Sequence, residues 1–392
     1  MESFLMGTYS PPPPVFVRGA GSELFDEAGH RYLDFIGGLA VTALGHAHPV
    51  VASAIGDQAA TLSHVSNLYK NALAPQVAQT IDRLVGAGRP AGGQVFFCNS
   101  GAEANECAIK LARKWARDGR HKVVATHGSF HGRTLSTLAA TGQPAKHEPF
   151  LPMPEGFTHV AYDDLGAMGS ALSDESVAAV LIEPIQGEGG VIEPSSDYLA
   201  GLRTMCDDHH VLLIADEIQT GLGRTGTWFA FQAQNLVPDI VTMAKALGNG
   251  MPVGACWAKA EVAAAFAPGD HATTFGGQPL ALSAVRATLE VMEAQDVCGR
   301  ARRSGAILKS ALQGLPGVVA VEGRGLLLAM RLERPEAARV AGDALVAGLL
   351  VNAVRPDSIR LAPSLLVTKS EIEEAVTVLG EVLGGPGGAG EP

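Results

Sequence analysis

Six short runs that are apolar at almost every position, residues 95–98, 123–126, 177–183, 211–217, 240–244 and 253–258, recur between helix-forming stretches. A strand with one wet face alternates apolar and polar residues, whereas a run without alternation needs cover on both faces. Helices on either side of one sheet supply that cover, so the chain reads as α/β with a largely parallel sheet. Ligands of such sheets bind outside the carboxyl ends of the strands. The residues just after each run are therefore the ones to inspect.

At 392 residues the chain exceeds what one core usually holds. A large domain over 46–278 and a smaller α+β domain over 279–383 are expected. An N-terminal segment, 1–45, carries a hairpin around Ala28-Gly29 and packs with the small domain; a disordered tail covers 384–392. The small domain shows strand candidates at 318–321, 325–331 and 359–361, and a closing helix that starts from a Thr368–Glu371 capping box. Twenty-nine basic against 40 acidic residues, with no basic block, argue against a nucleic-acid partner. No stretch approaches the ~18 apolar residues of a membrane span, and no signal-like N-terminus is evident, so a cytoplasmic protein is expected. Five scattered cysteines without a CxxC pair support neither a disulfide framework nor zinc.

After the first run, Ser100 and Glu103 form a capping box, and the small residues Gly101 and Ala102 leave the helix N–H groups open to a phosphate. After the second, Phe130 offers a ring to stack on and Arg133 a fork for a carboxylate. His127 and His131 have the spacing of a metal pair, but Gly128 and Gly132 argue against the helix such a pair needs, and His46 and His48 lack further ligands. No metal is expected. The fourth run ends in Asp216-Glu217, and a carboxylate buried there needs a cationic partner. Gly221 to Gly226 match a dinucleotide fingerprint in letters, but no strand runs straight into them and no helix starts from them. The fifth run delivers Lys245 to a turn bearing Gly248 and Gly250. Alone it reads as a surface lysine; at the end of a buried strand its pKa would fall and its amine could attack a carbonyl. Thr273 and Thr274 add hydroxyls ahead of Gly276-Gly277. A phosphate seat, an aromatic face, a buried acid and a lysine are the fittings of pyridoxal 5'-phosphate.

The series Asn99-Ser-Gly-Ala-Glu-Ala-Asn-Glu106, Ser129-Phe-His-Gly-Arg-Thr134, Glu183-Pro-Ile-Gln-Gly-Glu-Gly-Gly190, Ala215-Asp-Glu-Ile-Gln-Thr-Gly-Leu-Gly-Arg-Thr-Gly226 and Ala244-Lys-Ala-Leu-Gly248 resembles the class III pyridoxal-phosphate aminotransferases, over nearly the whole chain. The resemblance implies the fold-type I architecture of that family and a homodimer with shared active sites. It implies that Lys245 carries the cofactor, Asp216 pairs with its ring nitrogen, Gln219 contacts its ring hydroxyl, Gly101 and Ala102 hold its phosphate and Phe130 stacks on it. Thr274 would reach the phosphate in the neighbouring subunit. Arg133 and Thr273 match positions that contact an acylated amino-acid substrate. Glu188 and Arg360 resemble a switch that opens for the second carboxylate of 2-oxoglutarate. The implied reaction moves the ω-amine of N2-acetyl-L-ornithine to 2-oxoglutarate, as in arginine biosynthesis. Succinylornithine, ornithine, 4-aminobutyrate or an acyl-lysine-pathway compound are other donors, and an aminomutase or racemase would use the same machinery. Three positions depart from the family's usual residues: Gln278 for Asn, Thr273 for Ser, and Ser364 within a common Pro-Pro.

Overall fold

The computed structural model describes residues 4–9 and 14–384, so the expected tail lies outside the described residues except for Gly384, which ends the last helix. Strands β1 (Phe16–Ala20), β2 (Glu23–Asp26) and β3 (Arg31–Asp34) form an antiparallel N-terminal sheet that includes the expected hairpin. The large sheet comprises β4 (Gly93–Cys98), β5 (Lys122–Thr126), β6 (Phe157–Val160), β7 (Val177–Ile182), β8 (Leu212–Asp216), β9 (Ile240–Met243) and β10 (Gly254–Lys259), in the order β4-β10-β9-β8-β7-β5-β6. All six apolar runs are strands of this one sheet. The edge strand β6, Phe-Thr-His-Val, is only partly buried and carries no continuous apolar run, which is why its sequence is silent.

From β5 to β9 every pairing is parallel, but β10 runs antiparallel to both β4 and β9. The cause is the length of the link. A parallel crossover takes a dozen or more residues, usually through a helix. Between Met243 and Gly254 there is only the 3-10 turn Lys245–Gly248, so the chain must reverse. Lys245 sits in that reversal.

The helix Gly101–Trp115 turns Ala104, Cys107, Ala108, Leu111 and Ala112 towards one face of the sheet and packs on β4, β7, β9 and β10. The helices Leu165–Leu172 and Tyr198–Asp208 cover the other face, where Met168, Leu199 and Leu202 meet Val180 and Leu213. Both faces are thus dry, as the unalternating runs require.

Beyond the helices Pro279–Ala294 and Val297–Gln313, strands β11 (Val318–Arg324), β12 (Leu327–Leu332), β14 (Asn352–Arg355) and β15 (Ser358–Leu361) build an antiparallel sheet in the order β11-β12-β15-β14. The two residues of β13 (Leu349–Leu350) instead join β3 in parallel register, so the N-terminal sheet takes its fourth strand from the far end of the chain. The capping box at Thr368 forms as expected: Glu371 N–H donates to Thr368 Oγ1 at 3.2 Å and Thr368 N–H to the Glu371 carboxylate at 2.6 Å.

β10 starts hard against the N-terminus of the helix Gly101–Trp115, because Gly254 has no Cβ; one placed there would overlap the Ser100 carbonyl oxygen. Gly254→Ala is expected to cost about 1–3 kcal/mol, as overpacking of a close backbone contact does. Urea unfolding measures it, and an unchanged midpoint would contradict this packing.

Candidate active site

The carboxyl ends of β4, β5, β7, β8 and β9 converge on a cavity of about 390 Å³. At its β4 wall Ser100 caps the helix, accepting from Glu103 N–H at 3.2 Å. The return bond of the expected capping box goes elsewhere: the Glu103 carboxylate accepts from Asn99 N–H, one residue earlier. Gly101 and Ala102 line the cavity at the helix start, where backbone N–H groups lack intrahelical acceptors and favour an anion.

On the β5 wall stand Phe130 and Arg133, the guanidinium carbon 5.6 Å from the ring centroid. The Phe130 backbone is held from beneath by Glu183, whose carboxylate accepts from Phe130 N–H at 2.9 Å and from Gly187 N–H at 3.2 Å. Burial pushes the Glu183 carboxyl up to about 7.

Asp216, at the end of β8, is 3% exposed. Its Oδ2 accepts from Asn105 Nδ2 and from His131 Nδ1, each at 2.8 Å, and its Oδ1 from Ile218 N–H at 3.1 Å. Asn105 is set in turn by Thr242 Oγ1, which donates to its Oδ1 at 2.7 Å. His131, weighed above only as half of a metal pair, is therefore the partner of the buried acid. Its Nε2 is buried without a hydrogen-bond partner among the described residues. Neither Asn105 nor His131 carries a sequence signal for this pairing, since the three residues come from different elements.

Lys245 has φ of +39°, a left-handed conformation that costs a residue with a Cβ about 1–2 kcal/mol. The reversal between β9 and β10 imposes it and turns the side chain into the cavity. Its amine makes no hydrogen bond or ion pair with the described residues. Burial, reinforced by the Arg360 charge and opposed by Glu188, Asp216 and Glu183, pushes its pKa down to about 8. A share of the amine is thus neutral near pH 7, as nucleophilic attack and proton transfer require.

Arg360, 2% exposed, lies behind the cavity wall. Its Nη1 donates to Glu188 at 2.6 Å and to Gln219 Oε1 at 3.1 Å, and its Nη2 to Asn352 Oδ1 at 2.8 Å. Burial raises the Glu188 carboxyl, but the guanidinium outweighs it and holds the group below its ordinary value. Gln219 is pressed against Gly187, where a Cβ would overlap its amide oxygen.

Gly101, Ala102, Phe130, Arg133, Glu188, Asp216, Gln219 and Lys245 are thus brought together, with Arg360 joined through Glu188 and Gln219. Thr273 and Thr274 are not. They line a neighbouring, wider concavity, where Thr273 Oγ1 accepts from Asn99 Nδ2 at 3.2 Å and Thr274 is exposed. The glycines at 221–226 form turns around a buried Arg224 that donates to the carbonyls of Leu326 and Pro363, so no helix follows to seat a dinucleotide.

Open N–H groups at a helix start, a ring, a buried carboxylate and a free amine in one cavity fit pyridoxal phosphate. Comparison with known proteins agrees: the family model "Aminotransferase class-III" matches residues 7–383. The chain belongs to the class III aminotransferases. The acetylornithine aminotransferase of Corynebacterium efficiens is 45% identical over 384 residues, 97% of this chain and 94% of that protein. That of Gloeobacter violaceus is 46% identical over 387 residues, 96% of this chain and 95% of that protein. Among solved structures, the ornithine aminotransferase of Toxoplasma gondii superposes with a TM-score of 0.91 at 34% identity, covering 97% of this chain and 92% of that one. The N-acetylornithine aminotransferase of Stenotrophomonas maltophilia gives 0.83 at 34% identity, covering 95% and 96%.

Glu217, next to Asp216 but turned away from the cavity, is 1% exposed and accepts from Thr220 Oγ1 and from Phe231 N–H at 3.0 Å. Burial pushes its carboxyl up from 4.5 to about 7. A raised folded-state value means that the native protein binds the proton more tightly than the unfolded chain. The contribution is whole below pH 4.5 and is lost as pH rises through about 7. Thermal melts across this range are expected to fall less steeply for Glu217→Gln than for the wild type; parallel slopes would contradict the assignment.

Proposed function

We propose that this class III aminotransferase moves the ω-amino group of N2-acetyl-L-ornithine to 2-oxoglutarate, yielding N-acetyl-L-glutamate 5-semialdehyde and L-glutamate. The observation that carries the reading is Lys245, an amine without hydrogen-bond partners among the described residues, lining a cavity together with a helix start, a ring and an acid. The substrate assignment is supported by the acetylornithine aminotransferases that share 44–46% of residues with this chain.

In this reading Lys245 would hold pyridoxal phosphate covalently, Gly101 and Ala102 its phosphate, Phe130 its ring and Gln219 its hydroxyl. The cofactor supplies an electron sink for the bond-breaking step. Asp216, fixed by Asn105 and His131, keeps a proton on the ring nitrogen by offering it a buried negative partner. With the cofactor in place, the Lys245 amine, neutral in part near pH 7, would hold and move the proton of the substrate carbon. Arg133 orients the acylated amino-acid end, and Thr273, which lies outside this subunit's cavity, would reach a substrate only across a subunit interface. Glu188 covers the Arg360 charge for one substrate and uncovers it for the second carboxylate of 2-oxoglutarate.

Thr274 serves the phosphate of a second subunit, in a homodimer. Support comes from the open concavity it lines and from the exposed apolar side chains Leu68 and Phe275 around it. Separate sheets support the division into domains at 46–278 and 279–383. Among the described residues no helix is long and apolar enough to cross a membrane, and the five cysteines are free thiols, which supports the cytoplasm as the compartment.

A second reading, ornithine as the donor, is favoured by the fold likeness to ornithine aminotransferases. Glutamate formation from 2-oxoglutarate, compared among acetylornithine, ornithine, succinylornithine and 4-aminobutyrate, separates the two. Acetylornithine is expected to be among the best donors, and a poor rank for it overturns the assignment. Lys245→Ala is expected to lower turnover by at least ~10²–10⁴-fold and to abolish the borohydride-fixed cofactor adduct. Near-normal turnover in that variant would remove Lys245 from the mechanism.

A further inference from the structure

Arg360 has more partners than a two-membered switch needs, and they differ in kind. The two N–H groups of its Nη1 go to Glu188, at 2.6 Å, and to Gln219 Oε1, at 3.1 Å. One of the two on Nη2 goes to Asn352 Oδ1 at 2.8 Å. One partner is therefore anionic and two are neutral amide oxygens.

The neutral partners are the ones held in place. Asn352 lies opposite Arg360 in the β14–β15 register, which puts both side chains on one face of the sheet. Gln219 is wedged against Gly187, as described. Glu188, by contrast, follows Gly187 and precedes Gly189 and Gly190, and its side chain is about a third exposed.

We propose that Asn352 is a positioning residue for the amino acceptor: it keeps the Arg360 guanidinium in place after Glu188 releases it, so that a diacid meets a fork already set. This rests on the reading above, in which Glu188 moves aside for the second substrate. The N–H arithmetic supports it. Departure of Glu188 returns one N–H on Nη1, and Nη2 has one to spare beside the bond to Asn352, which makes the two-point receptor that a carboxylate prefers. An amide in the anchoring place leaves the positive charge uncompensated, and hence available. A carboxylate there would neutralise it for good.

Asn352→Asp tests the charge argument, because it keeps the shape and the bond to Nη2 while adding one negative charge. With the holoenzyme, glutarate binding is measured by calorimetry, and KM is measured for 2-oxoglutarate and for N2-acetylornithine. The Kd for glutarate is expected to rise about tenfold or more, the scale of one charge-assisted hydrogen bond. The KM for 2-oxoglutarate should rise with it, and by several-fold more than that for the donor. Asn352→Ala, which removes the anchor without adding charge, should weaken glutarate in the same direction and stands in should the aspartate variant not fold. A role in folding alone would lower the melting temperature and shift both substrates equally. That outcome, or unchanged glutarate affinity in both variants, overturns the proposal. A wild type that binds glutarate yet forms no glutamate counts against the proposed reaction instead, and the glutarate comparison still decides the role of Asn352.

Discussion

The carboxylate of Asp216 sits at the end of an otherwise apolar strand and is almost wholly buried. An unpaired charge in such a place is untenable, so the fold has to bring donors to it. Two come from other elements: Asn105 from the helix Gly101–Trp115, and His131 from the loop that carries Phe130. Satisfying one buried acid therefore registers three walls of the cavity against each other. Thr242 on β9, one strand over and three residues before Lys245, extends the same network to the wall that delivers the amine.

Around Lys245 the field is mixed in sign. Arg360 and burial disfavour the ammonium form, while Glu188, Asp216 and Glu183 favour it, and the balance places the amine near neutrality rather than far from it. Glu188 enters this balance twice, facing both cations. Its hold on Arg360 partly cancels the charge that presses on the lysine, so the Glu188–Arg360 ion pair and the basicity of the amine are electrostatically linked.

The large sheet was legible because burial on both faces forces runs of apolar residues, and a run is a local signal. So were Gly101, Ala102, Phe130, Arg133, Asp216 and Lys245, since each follows a strand within a few residues, whereas Glu188 and Gln219 came from the resemblance. What escaped depends on distance in sequence or on geometry without composition. The edge strand Phe157–Val160 is half wet and therefore has no run. The pairing of His131 and Asn105 with Asp216 spans 85 and 111 residues. Asn352 looks like any polar strand residue until the register sets it beside Arg360. Thr273 and Thr274, whose hydroxyls in a glycine turn suggested a phosphate contact, open onto a different concavity of the single chain. The reversal of β10 was readable in principle from the short link before it, yet it takes strand order to see what that link must do.

The parallel pairing of Leu349-Leu350 with Leu33-Asp34 closes a loop of most of the chain. Contacts so far apart cannot form until nearly all of the polypeptide exists, and closing long loops slows folding. Asn352 and Arg360 lie within a dozen residues beyond that closure. During synthesis Lys245, Asp216 and the helix start at Gly101 all leave the ribosome before Arg360 does. The cavity thus draws on early and late parts of the chain: Gly101, Asp216 and Lys245 emerge first, and Arg360 comes last.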